Sequence, residues 1–413
     1  MNDRRQPALG QPALGQRASF WVSAGVVAHI FWTSAAPAMT YRLYAEQWHL
    51  TPTVTTAIFA VYPIVVVAVL IGFGDLSDQI GRRPAMLLGL GASLVGTFLF
   101  AVAPDVLWLF AGRAFAGIGV GLTAGTATAA LVDFSAEGQS TRAASVTTAA
   151  QALGFTGALL LGGALTQYAP WPTRLGFWVL FALIALLFVA TWFLPRRFGE
   201  PASGRWQPKS PAIPAGLRST FAISASAVTT AYTHGVLILS LGGQVSHDLV
   251  RSSNALVNGA ALSLFAITSG VVGIAARRLR PQTAMLWGAL ASVASMVLLV
   301  LAVAQHELSI LLAATAIAGV GYSLLVVGGL ALLGGAVPER QRGGVLSALY
   351  LFAYLSLGTV ALGLGVVATE RGLGLAVDLG AAAITLLSIG TLGLLAIQHM
   401  HGRKVPEGCG QSA

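Results

Sequence analysis

The chain has 413 residues, 56% of them hydrophobic before its 49 glycines are counted and only 9% charged, whereas soluble domains hold about 45–50% apolar and about 25% charged residues. Its net charge of +9 does not point to nucleic acid, because the basic residues are dispersed between hydrophobic runs with no arginine patch interleaved with aromatics. A soluble multi-domain enzyme and a disordered chain are both excluded, which leaves an all-α integral membrane protein.

In chain order, residues 1–19 read as a solvated tail carrying a duplicated pentapeptide, Gln6–Gly10 and Gln11–Gly15. Arg4-Arg5, the run that follows and Ala36-Pro37-Ala38 loosely mimic a signal peptide. The run is nevertheless long enough to span, and eleven more follow, so the expectation is an uncleaved first helix. With about 20 apolar residues needed per crossing, the predicted spans are Phe20–Thr40, Thr55–Gly74, Pro84–Ala103, Val106–Val132, Ala143–Tyr168 and Leu175–Leu194 in one half. The other half holds Ser219–Gly243, Ala255–Ala276, Thr283–Ala304, Leu308–Val337, Gly344–Thr369 and Gly374–Gln398.

Between the halves, residues 195–218 contain five of the chain's 17 prolines and five Lys/Arg. Proline at that density forbids a continuous helix. The expected organisation is therefore a six-helix bundle at 20–194, a linker at 195–218, a second six-helix bundle at 219–398 and a tail at 399–413. The single cysteine, Cys409, falls in that tail, so intramolecular disulfides and thiolate metal clusters are excluded.

Orientation follows from a count. With the N-terminus inside, eighteen of the 23 Lys/Arg fall on the inner side, four (Arg42, Arg174, Arg251, Arg371) fall outside, and Arg113 lies within a span. This is the positive-inside pattern of short loops. It predicts that both termini are cytoplasmic and makes the basic balance a topology signal.

Gly74-Asp75-Leu76-Ser77-Asp78-Gln79-Ile80-Gly81-Arg82-Arg83, between spans two and three, resembles the signature loop of the major facilitator superfamily, G-x-L-x-D-x-x-G-R-R, at the same place in the topology. The resemblance covers span count, topology and mid-chain linker, and implies two bundles that rock to give alternating access. Gly74 and Gly81 permit close approach and a tight turn. In this family the acid, here Asp78, faces the start of the eleventh helix, near Gly343 and Gly344, where the macrodipole is positive. The resemblance implies that Arg82 bridges Asp78 and Asp133 and that this group, with Arg83, latches the outward-open state. The second-half loop, Arg277-Arg278-Leu279-Arg280-Pro281, keeps the basic residues without an acid, so a second latch is expected to be weak or absent.

An ionisable residue inside a span is a functional candidate because its burial is costly. Arg113 opens Arg113-x-x-x-Gly117-x-Gly119-x-Gly121, which resembles the superfamily's fourth-helix motif associated with proton coupling. The alternative is an arginine snorkelling to the outer interface about two turns away. His29 lies midway along span one, and His234 lies on a stripe with Ser226 and Thr230 along one face of span seven. The resemblance places spans one, four, seven and ten around a substrate cavity, which would wet both histidines. Hydrogen-bonded packing inside the bundle is the competing reading.

Tyr350 and Tyr354, at i and i+4 on span eleven, either line the path or pack. None of the fourteen acids sits near the bilayer centre, and the first helix lacks the acid common in exporters of cationic drugs. A cavity with Arg113, His29 and His234 favours an anionic or neutral solute. Span five keeps glycines (Gly154, Gly157, Gly162, Gly163) but has Ala158 where the exporters' Gly-Pro step expects proline, which puts antiport in doubt.

The leading expectation is a secondary transporter of a small organic solute, proton-coupled and exporting, monomeric, in a bacterial inner membrane, with the lipid bilayer as its surroundings. Proton-linked uptake is the alternative, and a non-transporting receptor on the same fold is a more distant one. No nucleotide-binding loop, nucleophile–base pair or metal cluster is evident, so neither cofactor nor enzyme chemistry is expected.

Overall fold

A computed structural model describes residues 14–73, 76–136, 139–195, 213–338 and 342–402. Twelve helices in it are long and apolar enough to cross a membrane: Gln16–Trp48, Pro52–Phe73, Arg82–Val102, Val106–Asp133, Thr141–Tyr168, Leu175–Trp192, Arg218–Leu249, Ala255–Arg278, Pro281–Gln305, Leu308–Ala336, Gly344–Arg371 and Leu373–Met400. These are spans one to twelve below. No strand occurs among the described residues. The even count puts the start of span one and the end of span twelve on one face, called here the termini face.

Lipid tails are as apolar as leucine, so helices in a bilayer associate through close packing rather than through water exclusion. The sequence supplies small residues for those contacts and large ones for lipid. Trp21, Leu107, Leu153, Leu186, Val271 and Leu386 are all at least 60% exposed and project outward. Inside the first bundle, span four packs on spans one, two and three, and inside the second, span ten packs on spans seven, eight and nine. The bundles meet along two seams, span two with span eleven and span five with span eight.

Two spans depart from their predicted ends. Span one continues past Thr40: Ala36–Met39 tightens into a 3-10 turn at Pro37, and Tyr41–Trp48 forms a further helix. That extension buries Tyr41 and Tyr44, and the Tyr44 hydroxyl donates to the Thr173 carbonyl at 2.9 Å. Arg42, assigned to an outer loop by sequence, sits on this helix and pairs with Glu46 one turn on. Span seven also outruns Gly243, because its outer part widens into π-helical turns at Val236–Leu241 and Val245–Leu249. Such turns break the regular i→i−4 ladder and are common at functional sites.

Candidate solute cavity

On the face opposite the termini, the two bundles are tied together. Thr53 of span two donates its amide to the Thr369 hydroxyl of span eleven at 2.9 Å. The Ala255 amide of span eight meets Gln167 Oε1 at 2.7 Å, and Asn254 Nδ2 meets the Tyr168 hydroxyl at 3.3 Å. Toward the termini face the bundles part around a cavity of about 330 Å³. Its walls include Thr128, Thr148, Gln151, Phe155, Gly273, Arg277, Val327 and Tyr350. An inner chamber of about 80 Å³ shares Phe31, Phe155, Tyr232 and Tyr322 with it and adds Ser34, Phe59, Tyr62 and Tyr354. No Asp or Glu lines either compartment among the described residues.

The chamber is aromatic on both sides. Tyr232 of span seven is the hub, with ring centroids 5.1 Å from Tyr354 at right angles, 6.3 Å from Tyr322 and 6.5 Å from Tyr350. Across from them Phe31 and Phe155 meet edge-on at 5.0 Å. Tyr350 and Tyr354 therefore line the cavity as well as pack. Tyr232, Tyr322, Phe155 and Phe31 were not singled out by sequence, since scattered aromatics on separate helices carry no periodic signal. Only the convergence of separate spans makes them a group.

Arg113 does not snorkel. It is wholly buried, with Nη1 donating to the Ser34 carbonyl at 3.1 Å and its guanidinium 4.5 Å from the Tyr62 ring centroid and 5.6 Å from that of Phe59. Nε and Nη2 have no partner. Cation–π contacts of this kind are worth about 0.5–2 kcal/mol, less than the roughly 2.5–3.5 kcal/mol that an arginine costs at a helix centre on insertion scales. The residue sits one ring behind the chamber wall rather than in it.

Neither histidine is wet. His29 is fully buried; Nδ1 donates to the Val26 carbonyl at 2.7 Å, and Nε2 lies 3.1 Å from Ser93 Oγ of span three. It ties two helices of one bundle. His234 donates Nδ1 to the Thr230 carbonyl at 3.0 Å and leaves Nε2 buried without a partner. Its stripe turns into the second bundle, where Ser226 bonds Thr391 of span twelve at 2.8 Å, and Thr230 donates back to the Ser226 carbonyl at 2.7 Å. The expected place of His29, Thr230 and His234 in the cavity wall is thus corrected: their faces of spans one and seven pack inward within each bundle.

In the signature loop, Gly74 and the Asp78 side chain lie outside the described residues. Gly81 adopts a φ of 89°, a conformation that favours glycine, and opens span three. Arg82 donates Nη1 to Asp133 Oδ2 at the end of span four. Arg83 instead reaches the Trp192 carbonyl of span six and stacks on that ring at 5.7 Å, inside its own bundle.

The second-half loop was expected to lack a strong latch for want of an acid, and the structure corrects this. Arg277 crosses to span five, where Nη2 donates to the Ala144 carbonyl and to Thr148 Oγ1 at 2.8 Å. Its Nη1 lies within 3.4 Å of the Thr141 carbonyl and 3.3 Å of Ser145 Oγ. Carbonyls and hydroxyls replace the missing acid, and such acceptors leave little trace in a sequence of this composition.

The Major Facilitator Superfamily model matches residues 21–361. The chain belongs to the Major Facilitator Superfamily. As a member with twelve candidate spans it is a multi-pass membrane protein. Relatives are the riboflavin transporter RibZ of Clostridioides difficile, 24% identical over 33% of this chain, and the inner membrane transport protein YajR of Escherichia coli, 32% identical over 28%. A third is the multidrug transporter mfsC of Aspergillus fumigatus, 31% identical over 34%. The matched stretches span only 29%, 24% and 27% of those proteins.

Among solved structures, a POT family transporter in complex with 5-aminolevulinic acid superimposes with a TM-score of 0.73 at 14% identity, covering 95% of this chain and 98% of its own. An inward-facing, unoccupied bacterial homologue of the human lysosomal transporter Spinster gives 0.68 at 14% identity, covering 96% and 99%. Both share the fold of this superfamily member.

Proposed function

We propose that this transporter exports a neutral or anionic small organic solute in exchange for protons, by alternating access. The observation that supports it best is the cavity: it opens toward the termini face, its walls hold no carboxylate among the described residues, and Arg277 stands at its mouth. The positive-inside pattern makes that face cytoplasmic, where an exporter loads. One proton charge moving across 100 mV supplies about 2.3 kcal/mol, enough for several tens-fold accumulation.

Two latches of opposite preference fit this cycle. Arg277 clasps span five to span eight in the state described here. The group of Asp78, Gly81, Arg82 and Asp133 would engage the start of span eleven in the opposite state, where the helix dipole is positive. The bundles would divide near the proline-rich segment at 195–218 and act as a monomer in a bacterial inner membrane.

The test uses everted vesicles with an acid interior and a fluorescent pH reporter. Adding solute outside should release protons if the protein exchanges them, and Asp78→Asn should abolish the release. Proton-coupled uptake, the second reading, is favoured by the absence of the Gly-Pro step in span five. It predicts silence in this assay and solute accumulation in right-side-out vesicles.

A further inference from the structure

The inner chamber and the arginine behind it carry a more specific statement about the solute. Tyr232, Tyr322 and Tyr354 present ring faces and edges on one side, Tyr350 continues that wall into the outer cavity, and Phe31 and Phe155 close the other side. Spacings of 5.0 to 6.5 Å between these rings are those at which aromatic groups attract one another. A flat ring lying between the tyrosine wall and the wall of Phe31 and Phe155 would meet aromatic surface on each side, whereas a flexible alkyl chain would be ordered at an entropic cost.

The second observation is independent of the first. Arg113 is a fully buried cation with two nitrogens unpartnered, Nε and Nη2. Buried donors without acceptors are costly, and buried charge without a counter-charge more so. Ser34, which takes Nη1, and Tyr62 and Phe59, whose rings the guanidinium covers, are themselves walls of the chamber. A cation on the outer faces of those rings also makes the chamber a poor host for a second cation. Tyr62 and Phe59 thus touch Arg113 and also line the chamber, and a solute in the chamber would need these rings to move aside to reach it.

We propose that this cavity selects a planar aromatic anion, with the ring among the tyrosines and the acid group on the free donors of Arg113. The proposal rests on reading the cavity as the solute path and names the class of solute that path accepts.

The full-length protein in lipid nanodiscs would be titrated calorimetrically with four probes: naphthalene-1-sulfonate, its neutral sulfonamide, octane-1-sulfonate and N-methylquinolinium. The aromatic sulfonate should bind at least about tenfold more tightly than the other three. Equal affinity for octane-1-sulfonate would overturn the ring assignment, and equal affinity for the sulfonamide would overturn the Arg113 anchor. Preference for the quinolinium, or binding of none, would overturn both. In Arg113→Gln the sulfonate should weaken by about tenfold and the sulfonamide by less than about twofold; equal losses would mean that Arg113 only supports the fold. The four-probe comparison needs no variant, so it stands if that protein fails to fold. Counterflow in proteoliposomes separates the two layers: a probe bound but never carried sinks the transport reading, while efficient carriage of another class sinks only the aromatic anion.

Discussion

The seam between spans three and four and the seam between spans nine and ten share a glycine–serine contact, and on the stretch leading to that glycine spans four and ten carry different side chains. In the first half a Cβ on Gly119 would collide with Ser93 Oγ and the Gly89 carbonyl. In the second, a Cβ on Gly321 would meet Ser292 Oγ at 2.6 Å and the Gly288 carbonyl at 3.1 Å. Four residues before the glycine pair stands Arg113 in Arg113-x-x-x-Gly117-x-Gly119, and Thr315 in Thr315-x-x-x-Gly319-x-Gly321.

Thr315 donates to the Ala261 carbonyl of the neighbouring span at 2.8 Å and is fully satisfied. Arg113 makes one such bond, to Ser34, and keeps two nitrogens unpaired. The same packing frame therefore holds a structural hydroxyl in one half and an under-satisfied charge in the other. Groups that persist unsatisfied in a buried site are the ones to suspect of function. The aromatic lining of the chamber is shared, with Phe31, Phe59, Tyr62 and Phe155 from the first half and Tyr232, Phe265, Tyr322 and Tyr354 from the second. The charge is thus one-sided where the aromatic lining is not.

The largest effects should come from breaking the shared frame. Gly119→Val and Gly321→Val each force atoms into backbone and side chain across a seam, and overpacking of this kind costs about 1–3 kcal/mol or more. Both should lower the melting temperature in detergent strongly and by similar amounts. A large drop in one and none in the other would mean that the seams are not equivalent.

Next comes the position where the halves differ. Arg113→Leu should abolish transport while leaving the melting temperature unchanged or higher, because replacing an unpaired buried charge with an apolar side chain is often neutral or stabilising. Thr315→Val should do the reverse, losing about 1 kcal/mol of stability for one hydrogen bond and keeping transport. Equal behaviour of the two variants in paired transport and unfolding assays would erase the distinction.

The smallest expected change is conformational. Arg277→Gln removes most of the clasp between spans five and eight and should favour the state closed at the termini face. Labelling of a cysteine placed at the cavity-lining Gln151, in an otherwise thiol-free background, should fall by a few fold. Unchanged labelling would show that Arg277 does not bias the cycle.

Much of this was readable from composition and spacing. Twelve spans followed from the length of apolar runs, since bilayer thickness sets a minimum helix length, and family resemblance rested on Asp78, Gly81, Arg82 and Arg83 in a short loop. The ends of spans one and seven were misplaced because helical extension there depends on what Tyr41, Tyr44 and the π turns pack against. His29 and His234 were assigned to the cavity because a sequence shows that a residue is in a membrane helix but not which way that helix is rotated. In the structure both face into their own bundles.

Sequence alone therefore determined that this chain crosses a membrane twelve times, in two halves, with charge kept to loops and span ends apart from one arginine inside a span. These are one-dimensional consequences of how many apolar residues occur in a row and where the charges interrupt them. Tertiary structure alone decided that four tyrosines from three spans meet in one cluster along the cavity, that Arg277 clasps the bundles without an acid, and that Arg113 hides behind Tyr62. Those are matters of helix rotation and of which neighbour offers a carbonyl at 3 Å, and residue order does not encode them locally.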